Sequence, residues 1–113
     1  MIRILVPVFV AALAGTATAQ EAPQIEKGKQ VYTAQKCQVC HSIAGVGNKK
    51  GALDDVGARL RENDIRQWII AAPEMTAKTK AERKPPMKAY PNLAKADLDA
   101  LVAYLASLKK KAS

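Results

Sequence analysis

Histidine, cysteine and aromatic residues are all scarce in this chain. Its 113 residues include one histidine, two cysteines, one Trp, one Phe and three Tyr. The two cysteines, Cys37 and Cys40, and His41 fall within five consecutive residues. This scarcity excludes a disulfide-rich scaffold, a four-ligand zinc site of Cys and His, and catalysis needing a second histidine. Acidic residues are also few, 10 against 18 Lys and Arg, so the formal charge is +8 and the pI is near 9.7. The length allows one domain at most, and so small a domain with so few aromatics needs a staple, a metal or a cofactor. No internal repeat, low-complexity tract or linker interrupts it.

The first residues read as a secretory signal. Arg3 supplies the positive start, residues 4–14 form an apolar run, and Ala17-Thr18-Ala19 is a small-x-small cleavage site. Eleven apolar residues interrupted by Pro7 fall short of the roughly 18–20 needed to span a bilayer, which argues against a retained anchor. No twin arginine precedes the run and no cysteine follows the cleavage site, so neither folded export nor lipidation is indicated. The expected organisation is a signal peptide over 1–19 and a single domain over 20–113, located in the periplasm or otherwise exported. Loss of Arg3 lowers the charge to +7 and the only Phe leaves with the signal.

In the remaining chain the periodicity predicts helices separated by long loops. Residues 24–36 follow Pro23 and put Ile25, Gly28, Val31 and Tyr32 on one face. Asn63 reads as an N-cap before Ile65, Trp68, Ile69 and Ala72, with Pro73 as the stop. Residues 94–110 carry a stripe of Leu98, Leu101, Val102, Leu105 and Leu108, with Asp97 and Asp99 near the start and Lys109, Lys110 and Lys111 at the end, as the helix dipole favours. Residues 42–55 and 74–93 read as loops. No run alternates with period two, so the expectation is an all-α fold.

Cys37-Gln38-Val39-Cys40-His41 has the spacing of a c-type haem attachment signature. Two thiols three residues apart at a helix end reach two vinyl groups on one side of a porphyrin, and the next residue aims an imidazole at the iron. Three other readings compete. A Cys37–Cys40 disulfide closes a tiny loop and stabilises little. A thioredoxin-like pair wants a βαβ context, and zinc wants a fourth ligand. A sixth iron ligand must come from elsewhere, and the absence of a second histidine leaves Met75 and Met87 after cleavage. Met87 is favoured because Pro85, Pro86 and Pro91 stiffen its segment just before the last helix. Met75 then serves as packing.

With these features the chain resembles the class I c-type cytochromes, the small monohaem bacterial cytochrome c family. The resemblance runs over residues 24–110. It rests on Gly28 and Tyr32 in the first helix, the signature about 18 residues into the mature chain, Trp68 in a middle helix, the Met87 loop, and Leu101 to Leu105 in the last helix. It implies a small all-α fold of three to five helices around one covalently attached haem c with its iron. The first and last helices would cross at Gly28, Tyr32 and Tyr104. For Trp68 two readings stand: an indole donor to a haem propionate, or a core residue. The chain departs from the family at Gly51, where a proline usually offers its carbonyl to the proximal histidine, and at Lys88, where proline usually follows the axial methionine. Ala94 stands where a Ser or Thr N-cap is typical, a change worth about 1 kcal/mol.

Cofactor-binding residues are thus expected at Cys37, Cys40, His41, Met87 and Trp68, with His41 and Met87 on the iron. With both axial positions filled, no site is open for a substrate. The expected activity is therefore one-electron transport rather than enzyme catalysis. Lys49, Lys50, Lys78, Lys80, Arg83, Lys84 and Lys88 would meet acidic redox partners such as an oxidase, reductase or dehydrogenase. The basic residues lack interleaved aromatics, which argues against nucleic acid. The expected form is a monomer free of the membrane after cleavage. The rival reading is a haem c subunit held permanently in a periplasmic dehydrogenase or oxidase complex. A five-coordinate gas sensor or peroxidase-like enzyme is a third.

Overall fold

Helix α1 spans Ala17–Ala34, seven residues more at its start than the periodicity predicts, and it runs through Pro23. Proline forfeits one backbone hydrogen bond there, so the helix gains its support further on, where Ile25 packs on the core and Gly28, Val31 and Tyr32 are buried. The computed structural model describes residues 7–8 and 17–111. Most of the expected signal segment therefore lies outside the described residues.

At the end of α1, Lys36 adopts a left-handed conformation with φ 58° and turns the chain into a 3₁₀ turn over Cys37–Val39. The predicted loop 42–55 holds more structure than its composition suggests. Strands β1 (Ser42–Ile43) and β2 (Val46–Gly47) pair antiparallel, Ser42 with Gly47 and Ile43 with Val46. Ala44 and Gly45 both have positive φ, 51° and 78°, as a two-residue hairpin of this twist requires. So short a ladder leaves no alternating pattern to detect. A second 3₁₀ turn over Lys49–Gly51 and helix α2 (Val56–Arg59) complete the segment.

Helix α3 spans Glu62–Ile70, and Arg61, not Asn63, is its N-cap. The Asp64 carboxylate accepts the Arg61 backbone N–H at 3.4 Å, which starts the helix earlier and puts Asn63 inside the first turn. Pro73 does not simply end the run. It lies in the first turn of a further helix, α4 (Ala72–Thr79), because proline at the start of a helix gives up an N–H that would be unpaired anyway. The predicted loop 74–93 therefore begins only after Thr79.

Helix α5 spans Lys95–Ala106 and stops four residues short of the predicted end. The Ser107 hydroxyl donates to the Tyr104 carbonyl at 2.6 Å, and the Leu108 carbonyl is taken by the Gly57 N–H at 2.7 Å. These bonds turn the chain away from the helix axis, so Lys109, Lys110 and Lys111 do not sit on the last turn. Ala94 caps α5 without a side-chain hydrogen bond, as its methyl group dictates.

The core lies where α1 crosses α5, with α3 alongside. Val31 and Tyr32 meet Leu101, Val102, Tyr104 and Leu105, and Ile65 and Ile69 close the other side. A Cβ built on Gly28 would lie 2.5 Å from Tyr104 Cβ and collide with the Ala100 carbonyl oxygen, so the crossing needs glycine. Tyr32 and Tyr104 stack edge to face, 6.1 Å between ring centres at 81°. On the surface, Asp99 bridges Arg66 of α3 at 2.7 Å and Lys95 at 2.9 Å, and those hydrogen bonds hold its carboxyl below the usual range. The fold is all-α apart from the small hairpin, as expected. Among the described residues no helix is long and apolar enough to cross a membrane.

Candidate haem centre

The attachment motif occupies the tight path between α1 and β1. The Cys40 and His41 N–H groups both donate to the Cys37 carbonyl, at 3.1 and 2.9 Å, so the two thiols and the imidazole emerge from one turn. Asn48 is the node that holds this turn. Its N–H approaches the His41 carbonyl at 2.9 Å and the Gln38 carbonyl at 3.1 Å, and its amide Nδ2 donates to the Val39 carbonyl at 3.3 Å. Its Oδ1 accepts from Lys50 N at 3.0 Å. Gly47, with φ 110°, passes so close that a Cβ there would collide with the His41 carbonyl. Neither Asn48 nor Gly47 was singled out from the sequence. The signal available was the turn-forming Gly-Asn pair.

His41 is oriented from its Nδ1, which lies 2.9 Å from the Gly51 carbonyl oxygen. With Nδ1 as the donor, Nε2 is the nitrogen free to ligate a metal. Gly51 thus offers the carbonyl that a proline usually offers at this place. The Leu53 N–H fixes it by donating to the carbonyl of buried Ser42 at 2.8 Å. Burial lowers the imidazole pKa, the Gly51 bond opposes this, and the Arg83 guanidinium lowers it further. The ring is therefore neutral at pH 7, the form that binds metal.

Cys37 is half-buried and Cys40 exposed, and both are free thiols. Burial pushes the Cys37 thiol up to about 11. Helix α1 precedes the pair, where a thioredoxin-like site would have a strand. Among the described residues no group of three or more His, Cys, Asp or Glu could hold a metal ion.

Met87 is half-buried in the irregular segment between α4 and α5. That segment is pinned on both sides of it. The Arg83 guanidinium donates to the Cys40 carbonyl, and the Tyr90 N–H donates to the Ile69 carbonyl at 2.7 Å. The Tyr90 phenol is raised, chiefly by burial. Lys88 Nζ lies 5.5 Å from the centre of the Tyr90 ring. Met75 is elsewhere, buried in α4 with its carbonyl taken by the Thr79 hydroxyl at 2.7 Å. Trp68 is half-buried at the edge of the α3 face that carries Ile65 and Ile69.

These residues suit a haem. The motif supplies two thiols and a neutral imidazole with a free Nε2. Leu53, Ile70, Tyr90 and Leu93 are partly buried apolar side chains that pack on the core and would cover a porphyrin.

Comparison with known proteins agrees. Over 92 residues the chain is 34% identical to cytochrome c oxidase subunit 2 of Alkalihalophilus pseudofirmus, covering 74% of this chain and 25% of that protein. The chain thus spans about a quarter of the relative's length. No solved structure matches it. The family model for cytochrome c matches residues 25–109, and with the Cys37-Cys40-His41 motif inside that range, the chain belongs to the cytochrome c family, electron-transfer proteins with a covalently attached haem c and its iron.

Proposed function

We propose that the chain is an exported single-haem electron carrier in which Cys37 and Cys40 hold the haem and His41 and Met87 are the axial ligands. The observation that carries this reading is the His41 Nδ1 to Gly51 carbonyl bond of 2.9 Å, within a Cys-x-x-Cys-His turn. That bond selects the tautomer with Nε2 as the iron ligand and makes it a stronger donor. When bound, haem c supplies a one-electron Fe(III)/Fe(II) couple. The Cys37 and Cys40 sulfurs would tether it as thioethers, and His41 and the Met87 thioether would ligate its iron, the thioether favouring a higher potential. Trp68, at the edge of the α3 face, would offer its indole N–H to a propionate.

Export has its own support. Cleavage after Ala19 would leave Pro23 in the first turn of α1, where its missing N–H costs nothing, whereas in the longer helix it is an interior proline. The net positive charge suits docking to acidic faces of redox partners. The similarity to part of an oxidase subunit favours an oxidase among those partners. It also favours the second reading, a haem c subunit held in a larger complex. Gel filtration of the native extract separates the two, since elution as a free monomer is expected and co-elution with a larger subunit would overturn the carrier reading.

A visible spectrum of the exported protein tests the site. A narrow reduced α band and a weak long-wavelength Met–iron band are expected in the native protein. Met87→Ala should abolish the weak band. Met75→Ala should keep it while costing about 2–3 kcal/mol of stability through the cavity it leaves. Loss of the band on Met75→Ala alone would assign the ligand to α4 instead.

A further inference from the structure

Arg83 reaches across from the Met87 segment and donates from Nη2 to the Cys40 carbonyl. No ion pair to Arg83 is present among the described residues, so its charge is not neutralised by a neighbouring carboxylate. The guanidinium lies over Gly51. A Cβ built there would be 2.7 Å from Arg83 Cζ and would collide with its Nη1 and with the Cys40 carbonyl oxygen. The glycine that departs from the usual proline therefore makes the space the guanidinium fills. Gly51 meanwhile keeps the proline's other task, since its carbonyl is the partner of His41 Nδ1.

We infer that Arg83 is a positioning and potential-setting residue, which clasps the Met87 segment to the attachment turn and holds a positive charge beside the axial histidine. The inference rests on the proposed reading of His41 and Met87 as the iron ligands. A fixed positive charge near the iron disfavours the more positive ferric state, so it raises the reduction potential. It acts through the Cys40 backbone and the space beside Gly51, without touching the iron. The guanidinium fork is also what ties a side chain on one segment to a carbonyl on another, which a lysine would do less rigidly. Because Arg83 is exposed, its electrostatic effect must weaken as salt rises.

Redox titration of the haem-loaded protein tests this, with spectra recorded in both states. Arg83→Gln should raise the ferric:ferrous ratio at a fixed solution potential by roughly threefold to tenfold at low salt, and by less at high salt. Arg83→Lys keeps the charge and should retain most of the native ratio. If the Gln variant loads no haem, Arg83→Met and Arg83→Lys carry the same comparison, one without and one with the charge. A native-like ratio in Arg83→Gln or an equal shift in Arg83→Lys would overturn the inference. The Met–iron band separates the two levels. Its absence from the native protein defeats the ligand assignment, whereas its presence beside an unchanged potential defeats only the role of Arg83.

Discussion

At the residue scale, Tyr32 combines good packing with poor hydrogen bonding. Its ring is buried against Tyr104, yet its hydroxyl finds no partner among the described residues. Burial pushes the phenol up to about 12. A phenol that holds its proton longer when folded stabilises the fold fully below pH 10, and that contribution is lost as the pH rises from 10 toward 12. Tyr32→Phe keeps the ring contact and removes both the titration and the unpaired O–H. The variant should be about 1 kcal/mol more stable than the native protein at pH 7 and should lose less stability between pH 10 and 12. Guanidinium titrations at pH 7 and pH 11 check this. A residual decline is expected, because Tyr90 and Tyr104 are raised by burial in the same direction. Nothing in the sequence marks the hydroxyl as unpaired, since the helical pattern places the ring and is silent on its oxygen.

Among the elements, the α1–α5 crossing carries the fold. Gly28 lets the two backbones approach until Ala100 and Tyr104 occupy the space a side chain would need. Gly28→Ala should lower the unfolding free energy by about 2–3 kcal/mol, read from a denaturant midpoint, through overpacking rather than any change in helix propensity, which alanine improves. An unchanged midpoint would mean the helices separate at no cost. The stripes of α1 and α5 were legible because each buried face repeats at helical spacing. Helix α4 was not. Pro73 reads equally well as the end of one helix and the start of another, and only the packing of Ala72 and Met75 into the interior decides between them. The hairpin was hidden for a different reason: four paired residues cannot establish a period.

On the scale of the whole molecule, charge dominates the surface. The excess of 18 basic over 10 acidic residues leaves Lys49, Lys78 and Lys84 exposed in or beside the segments around the attachment turn. The rate of electron transfer to an acidic acceptor should fall about tenfold between 0.01 and 0.15 M salt, as screening shortens the reach of these charges. Replacing the three lysines with Gln should flatten that dependence in stopped-flow measurements while leaving the haem spectrum unchanged. An unaltered salt slope would reduce them to solubilising residues.

The amino-acid sequence by itself determined the chemistry of attachment and the helical class. Cys37, Cys40 and His41 lie within one turn, and a helix stripe needs only its own spacing, so both are local properties that a linear pattern records. The tertiary structure alone decided how that turn is held and what surrounds it. Asn48 and Gly47 grip the motif from the next hairpin, the Gly51 carbonyl takes the imidazole, and Arg83 returns from 43 residues away to the Cys40 carbonyl. In the sequence Arg83 is one more cation in a basic loop. Its place over a glycine exists only once the chain has folded back on itself, because contacts between distant segments leave no periodicity behind.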